Sequence, residues 1–198
     1  MATSGRQTGP RPYVMSARAD AVSDTRQRIL SAARELFFTC WYDQVTLNAI
    51  AGSAGVSHQT VLNHFGSKEG VFAALAKLIQ SENEAAPVPA STAEAVQALL
   101  DRYERMGLAN ARLAMQEHRA DAVHETLETA RRVHRTWIEH TFAPSLPAAE
   151  PARRQKIAAL LLATEVMAWK AIRHDYGFEA EDTAAAITAL INGLEAQP

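Results

Sequence analysis

The chain has 198 residues with a formal net charge of −2, and 47% of its residues are hydrophobic while 21% are charged. This composition is typical of a globular protein with one large domain or two small ones. It excludes a strongly basic protein that holds nucleic acid by net charge alone. The single cysteine, Cys40, excludes an intrachain disulfide and argues against a cysteine-based zinc site.

The charge is spread along the chain with only a weak polarity. Residues 1–84 contain 8 Lys and Arg against 7 Asp and Glu, whereas residues 85–198 contain 12 against 15. No stretch approaches the roughly 18 to 20 apolar residues that span a bilayer, and the N-terminus lacks the apolar segment of a secretory signal. We therefore expect a cytoplasmic protein with no membrane partner, no metal and no cofactor.

Abundant alanine and the lack of alternating runs rich in Val, Ile or Thr predict an all-α fold. Residues 1–22 are rich in Gly, Pro, Ser, Thr and Arg, which predicts a disordered N-terminal arm. Its Arg6, Arg11 and Arg18 belong either to a frayed terminus or to a basic arm that touches the backbone or minor groove of DNA.

Residues 23–84 form the second predicted unit, with four helices joined by very short turns. Each helix follows a residue pair or single residue able to cap it: Ser23 with Asp24, Thr46, Ser57 and Ser67. Gly55 in "SAGVS" is available for a positive φ between the second and third helices. The fourth helix is expected from Lys68 to about Glu84.

The second and third helices have the features of a helix-turn-helix. That motif needs a tight turn, an apolar internal face, and hydrogen-bonding side chains at the start of its second helix, where base edges are reached. The expected internal face is Leu47, Ile50, Ala51, Val56, Val61 and Phe65, and the expected reading end is Ser57, His58, Gln59 and Thr60. Gln59 can pair with adenine, the Thr60 methyl can meet a thymine methyl, and Lys68 suits a phosphate. The free N–H groups at the start of the fourth helix suit it as well.

Residues 85–198 form the third predicted unit, which opens with the linker "AAPVPAS". Four helices are expected at about 91–116, 119–142, 152–175 and 180–195. Between Ile157 and Ile172 only Thr164, Glu165 and Lys170 interrupt an apolar sequence, so that helix must be covered on every side. We expect a homodimer through the helices at about 152–175 and 180–195. The alternative is a monomer in which the apolar helix is wholly buried.

If the second unit reads DNA, the third is expected to bind a signal in a mostly apolar pocket. The candidate lining residues are Tyr103, Met106, Met115, Trp137, Phe142, Glu165, Met167 and Trp169. The apolar members are equally candidates for ordinary core. Glu165 interrupts an apolar helix, so its carboxylate is expected to be paired, exposed at an edge, or in contact with a cationic ligand.

Residues 25–75 resemble the N-terminal domain of the tetracycline-repressor (TetR) family. The resemblance is carried by "RILSAARELF", "T-x-x-x-IA", "AGVS", "T-x-x-x-HF" and "SKE", in this order and at the family's spacing. It implies a dimer that binds a palindromic operator in double-stranded DNA, usually as a repressor released by a small molecule. The implied recognition positions are Ser57, His58, Gln59, Thr60 and Asn63, and the implied phosphate contacts are Thr46, His64 and Lys68.

Three positions depart from the family pattern. Leu62 stands where a tyrosine is common, Gly52 lies inside the second helix, and Trp41 replaces a glycine before Tyr42. Two other classes of function are alternatives to this one: a regulator controlled by a protein partner or by no ligand, and a helical-bundle enzyme. The enzyme would need a convergent acid, base or metal group in the third unit, and the sequence offers none.

Overall fold

The computed structural model of the protein describes residues 13–85 and 87–196, with side chains from residue 20 onward. Every regular element in these ranges is a helix, as the composition predicts. The N-terminal helices are α1 (Tyr13–Thr39), α2 (Leu47–Ala54), α3 (His58–Phe65) and α4 (Lys68–Glu84). They are followed by α5 (Thr92–Ala114), α6 (Asp121–Thr141), α7 (Ala152–Ala163), α8 (Val166–Lys170) and α9 (Ala180–Glu195).

The start of α1 corrects the expectation of a disordered arm through residue 22. The helix begins at Tyr13, so Ser23 and Asp24 lie inside it and do not cap it. Ser and Asp favour caps but are tolerated within a helix, and the alanines at 17, 19 and 21 favour helix over coil. The rest of the predicted arm, including Arg6 and Arg11, lies outside the described residues.

The N-terminal helices pack around one small apolar core. Its buried residues come from all four helices and include Ile29, Ala33, Ile50, Val61 and Val71. Phe65 and Leu47, two members of the predicted internal face, pack against this core while remaining partly exposed. The core holds α2 and α3 against α1 and α4, so the start of α3 is free to face outward.

The second core lies among α5, α6, α7, α8 and α9. Leu99, Ile138, Leu160, Trp169 and Ile191 are all buried there. α5, α6 and α9 lie within two or three residues of their predicted bounds. Residues 87–91 form no regular element, in agreement with a linker before α5.

The prediction of a single helix at 152–175 is wrong, because the helix is interrupted at Thr164 and Glu165. Glu165 has an extended backbone with ψ of 136°, and α8 begins at the next residue. A π-helical turn follows at Ala171–Asp175. Neither glycine nor proline lies at the break.

An aromatic cluster joins the two cores. The Tyr42 and Phe72 ring centroids are 5.2 Å apart, and Phe37 lies within 5.6 Å of Tyr42 and 5.0 Å of Phe72. Val123 from α6 is buried against Tyr42 and Phe72. The turn that leads into α2 is therefore packed directly on the C-terminal half of the chain.

Candidate nucleic-acid interface

The turn between α2 and α3 is fixed by short-range hydrogen bonds that the sequence predicts. The Thr46 hydroxyl accepts from the backbone N–H of Ala49 at the start of α2. Gly55 ends α2 with φ of 63°, a left-handed conformation that disfavours residues with a Cβ. The Ser57 hydroxyl then accepts from the N–H of Thr60 at 3.0 Å and caps α3.

Arg28 of α1 closes the other side of this turn. Its guanidinium donates to the carbonyl oxygens of Ala54 at 2.6 Å and Gly55 at 3.0 Å. These carbonyls have no partner within α2, and a cation is favoured at the negative end of a helix dipole. The sequence analysis missed Arg28, although its place in "TRQRIL", just before the first buried residues of α1, marks it as a side chain at the edge of the core.

The first turn of α3 carries the predicted reading residues on the protein surface. Ser57, His58 and Gln59 are exposed, and Thr60 is partly exposed. The Ser57 and Thr60 hydroxyls are 2.8 Å apart, so both already take part in the cap. His58 and Gln59 are consequently the more available of the four for contact with another molecule.

Gln59 and Asn63 form a pair along the exposed face of α3. Gln59 Nε2 donates to Asn63 Oδ1 at 2.9 Å. This bond leaves Gln59 Oε1 as an acceptor and Asn63 Nδ2 as a donor, side by side. An acceptor next to a donor is the pattern that complements the N6 and N7 edge of adenine.

The three predicted phosphate contacts lie in different environments. Thr46 is exposed at the cap of α2, and His64 is partly exposed with its ring 6.1 Å from that of Phe65. Lys68 is partly exposed at the start of α4, where its Nζ donates to the carbonyl oxygen of Tyr42 at 3.2 Å. The ammonium also lies 4.3 Å from the centroid of the Tyr42 ring, so that side chain is held in place before any partner binds.

The start of α4 is less open to an anion than the sequence suggested. The N–H of Gly70 already donates to the Ser67 hydroxyl at 3.1 Å. The pKa of Glu69 is lowered because its carboxylate accepts from its own backbone N–H and from the Ser67 hydroxyl. The carboxylate therefore occupies part of the helix terminus, and Lys68 remains the principal group there for a phosphate.

The departures from the family pattern leave the motif intact. Trp41 has φ of −69° and ψ of 147°, ordinary extended backbone that does not require glycine. Gly52 is exposed, and a Cβ built on it meets no atom within 4 Å. Leu62 is partly buried on α3 and offers no hydrogen bond to a backbone phosphate.

The predicted ligand residues of the C-terminal half do not surround one cavity. Tyr103, Phe142 and Trp169 are buried in the core, and Trp137 packs against it. Met106 is partly buried, whereas Met115 and Met167 are exposed. Glu165 lies exposed at the break between α7 and α8, which is one of the three environments expected for its carboxylate.

A polar cluster lies at that break. Tyr103 donates its hydroxyl proton to the carbonyl oxygen of Thr164 at 2.7 Å, and the Thr164 hydroxyl donates to Leu160 O at 2.7 Å. His134 Nε2 lies 2.8 Å from the Thr164 hydroxyl oxygen, and because the hydroxyl proton is donated to Leu160 O, the Nε2–H is the donor of this hydrogen bond. Burial, together with the charge of Arg102, lowers the pKa of His134 to about 4, so the imidazole is neutral near pH 7.

A groove of about 580 Å³ lies between α5 and α9, and Trp169 lines it from α8. Small side chains such as Ala184 and Ala185 leave the space, and the charged residues of its lining are Asp101, Glu104 and Glu181. Of the predicted ligand residues only Trp169 reaches this groove. The run of alanines beside Ile187 and Ile191 in α9 was the sequence signal that could have marked it.

A second, apolar groove of about 260 Å³ lies between α7 and α9, with residues of α8 and the following turn on one side. Leu162 and Leu190 line it and are 72% and 54% exposed. Ile172, Ile187 and Leu194 complete its apolar wall. Large aliphatic side chains at this exposure form an exposed apolar surface shared by α7 and α9.

The sequence matches known regulators over the N-terminal helices. Residues 29–75, which run from α1 into α4, match the family model for bacterial regulatory proteins of the tetR family. Over these residues the chain is similar to regulators of the tetR family.

Two curated relatives match the chain over parts of their length. The transcriptional regulator AlkX of Mycobacterium tuberculosis is 38% identical over 60 residues, which are 30% of this chain and 26% of AlkX. The transcriptional repressor AcnR of Corynebacterium glutamicum is 27% identical over 125 residues, which are 63% of this chain and 62% of AcnR. The chain thus matches about a quarter of one relative and less than two thirds of the other.

Solved structures share the fold of the chain over nearly its whole length. A transcriptional regulator from Rhodococcus sp. Rha1 has a TM-score of 0.66 at 18% identity, covering 87% of this chain and 99% of that one. NalD, the secondary repressor of the MexAB-OprM multidrug efflux pump in Pseudomonas aeruginosa, has a TM-score of 0.55 at 20% identity and covers 88% and 97%. Among the described helices none is both long and apolar enough to cross a membrane.

Proposed function

We propose that this protein is a transcriptional regulator, and specifically a repressor, that binds an operator in double-stranded DNA through α3. The observation that carries the proposal is the exposed start of α3, where Ser57, His58 and Gln59 project from a helix-turn-helix with hydrogen-bonded caps. The tetR-family match covers the same residues. A convergent catalytic group is not needed to account for any of these features.

Gln59 and Asn63 are proposed to read the operator as one unit. Their mutual hydrogen bond places an acceptor and a donor on the same exposed face, and adenine offers the complementary pair. His58 and Thr60 would read neighbouring base pairs, while Thr46, His64 and Lys68 would contact phosphates. This division gives base contacts the sequence preference and phosphate contacts the position along the duplex.

The experiment is selection of bound sites from random double-stranded DNA, followed by affinity measurements on the selected site. Gln59→Ala should weaken the selected site by about 10-fold, since one good bidentate base contact is worth about 1–3 kcal/mol, and spare random DNA. Gln80→Ala, which removes an exposed glutamine bonded only to Glu84, is the matched control. An unchanged site preference in Gln59→Ala would remove this residue from the readout.

A homodimer is proposed to form through α7 and α9. The support is the exposed apolar groove with Leu162 and Leu190, which a second copy of the chain would cover. Two copies related by a two-fold axis would then place two α3 helices on a palindromic site, with half-sites about one helical turn apart. Leu190→Glu should convert the dimer to monomer in sedimentation and reduce operator affinity, whereas Ala189→Glu beside it should leave the mass unchanged if this groove is the interface.

A small-molecule effector is proposed to bind the groove between α5 and α9. Asp101 and Glu181 supply negative charge, Trp169 supplies an apolar surface, and the lining contains no Lys or Arg. Glu104 contributes less, because its carboxylate already accepts from Trp169 Nε1 at 3.0 Å and Arg173 Nε at 3.4 Å. The chemistry favours a ligand with a cationic group and a hydrophobic body.

Calorimetry with tetraphenylphosphonium and tetraphenylborate tests the effector site, because these two ions share size and shape and differ in the sign of the charge. The cation should bind and the anion should not, and Asp101→Asn with Glu181→Gln should abolish the difference. If neither ion binds, and the operator is released by a protein partner or is not released by any ligand, the result would instead support a regulator without a small-molecule effector.

A further inference from the structure

Gln116 is a buried polar residue outside the helix-turn-helix. It follows α5 directly, and only 1% of its surface is exposed. A buried carboxamide must have partners for both its oxygen and its nitrogen. Gln116 Oε1 accepts from the backbone N–H of Tyr42 at 2.7 Å, and Nε2 donates to Arg112 O at 3.1 Å. One side chain thus connects the end of α5 to the turn before α2.

Tyr42 is also the residue that holds Lys68. Its carbonyl oxygen accepts from Lys68 Nζ at 3.2 Å, and its ring lies beneath the same ammonium at 4.3 Å. The backbone of Tyr42 therefore receives Gln116 at its N–H and Lys68 at its C=O. The ring is fixed between Phe37 and Phe72, so a shift of the Tyr42 backbone would carry the Lys68 ammonium with it.

Two other contacts from the C-terminal half lie on either side of the bond between Gln116 and Tyr42. Arg112 NH1 donates to Phe38 O at 2.6 Å, and Arg119 forms an exposed ion pair with Asp43 at 3.0 Å. These arginines attach the end of α5 and the turn after it to either side of Tyr42. Among the hydrogen bonds of the described residues, that of Gln116 alone reaches Tyr42 itself from the C-terminal half.

We propose that Gln116 is a positioning residue for the contact between Lys68 and DNA phosphate. An ammonium has three N–H donors, and the bond to Tyr42 uses one of them, which leaves two for phosphate oxygens. The bond from Gln116 fixes the position of the Tyr42 backbone relative to α5. The Tyr42 carbonyl in turn fixes the direction of the two remaining N–H donors of Lys68. The inference rests on the proposed DNA-binding function and assigns to it a residue outside the helix-turn-helix.

The test is a double-mutant cycle with Gln116→Met and Lys68→Met, measured as operator affinity over a series of salt concentrations. Methionine keeps the length of the glutamine side chain but cannot accept from Tyr42. Each single variant should weaken binding about 3- to 10-fold and lower the slope of log K against log salt by about one. The double variant should bind as tightly as Lys68→Met alone, because the two residues act on one contact.

A purely structural role would lower the melting temperature of Gln116→Met without changing the salt slope. Gln80→Met, the same substitution at an exposed glutamine, should change neither quantity. Gln116→Asn serves as a milder second variant, since its amide is one methylene too short to reach Tyr42, and it should lower the slope in the same direction at a temperature where it is folded.

A wild-type salt slope in the folded variants, or a further loss of affinity when Gln116→Met is added to Lys68→Met, would overturn the positioning role. These outcomes are distinct from failure of the proposed function itself. In that case the wild-type protein would select no DNA site, and no salt slope would exist for either variant to change.

Discussion

Two breaks between helices show how differently the two halves of the chain fix their backbone. α2 and α3 meet at a turn whose geometry is written in adjacent residues: Thr46 and Ser57 cap the helices, and Gly55 takes the left-handed conformation. α7 and α8 meet at Thr164 and Glu165, where neither glycine nor proline is present and Glu165 makes no side-chain cap.

The second break depends on residues far away in the chain. Tyr103 donates to the carbonyl oxygen of Thr164, and His134 bonds its hydroxyl, at separations of 61 and 30 residues. The Thr164 hydroxyl also returns to Leu160 O, a local bond that competes with helix continuation. A turn coded by neighbours is visible in sequence, whereas a turn imposed by tertiary contacts is not.

The largest expected effect is at Gly70, near a helix start that is fixed by neighbouring residues. A Cβ on Gly70 would lie 2.0 Å from the carbonyl oxygen of Phe65, so α4 could not keep its approach to α3. Gly70→Ala should lower the free energy of unfolding by about 3 kcal/mol, measured by urea denaturation. Gly193→Ala, where no atom lies within 4 Å of the new Cβ, should lose no stability. Equal stability of the two variants would contradict the close approach.

The next effect tests the distant contact through pH. The folded-state pKa of His134 is about 4 because the ring is buried, whereas its ordinary value is 6.5. The unfolded chain therefore binds a proton that the folded chain excludes, and stability falls as pH drops from about 6.5 towards 4. The loss should be on the order of 2 kcal/mol, since partial exposure weakens the full effect.

His134→Gln isolates this contribution, because glutamine can still donate to Thr164 but does not titrate. The difference in unfolding free energy between wild type and variant should shift in favour of the variant between pH 7 and pH 4.5. Other titrating groups cancel in that difference, so a value independent of pH would show that folding does not lower the pKa of His134.

Tyr103→Phe removes the other distant bond and leaves the Thr164 carbonyl without this donor. We expect a loss of about 1–2 kcal/mol in unfolding free energy, together with faster amide hydrogen exchange at residues 164–168 than in α7. Tyr176→Phe is the matched control, since Tyr176 is exposed and should tolerate the change. Uniform exchange rates would mean that the break persists without Tyr103.

The smallest effect concerns a glycine that the local code does not require. Gly52 lies inside α2, and a Cβ there meets no atom within 4 Å. Gly52→Ala should raise the free energy of unfolding by about 0.5–1 kcal/mol, because alanine loses less backbone entropy in a helix. Thermal and urea melts measure this gain, and a decrease would reveal a constraint on α2 beyond its helical backbone.

The same contrast explains which expectations the structure met. The caps at Thr46, Ser57 and Ser67 and the bounds of α4 follow from interactions within four residues. The start of α1 was misplaced because Ser23 and Asp24 permit a cap without requiring one. The Lys68–Tyr42–Gln116 connection was invisible, since it joins residues 26 and 74 positions apart.

The ligand residues of the C-terminal half stay a prediction, because residue type alone does not locate a cavity. Large aromatic residues such as Tyr103 and Phe142 fill the core because they bury the most surface, so their size does not distinguish a ligand pocket from ordinary packing. The groove between α5 and α9 instead arises where small residues leave space, as at Ala184 and Ala185. Space is created by pairs of elements, and a single sequence reports only one element at a time.

The contact from Arg28 to Ala54 and Gly55 has a consequence for the order of folding. The negative end of α2 is neutralised by a residue of α1, so α2 and its turn gain their full stability only after α1 has docked. The separation of 26 residues makes that closure fast compared with pairing across the whole chain. We expect α1, α2 and the turn to form and melt together, so a peptide cut between α1 and α2 would lose the turn even though every residue of the turn remained.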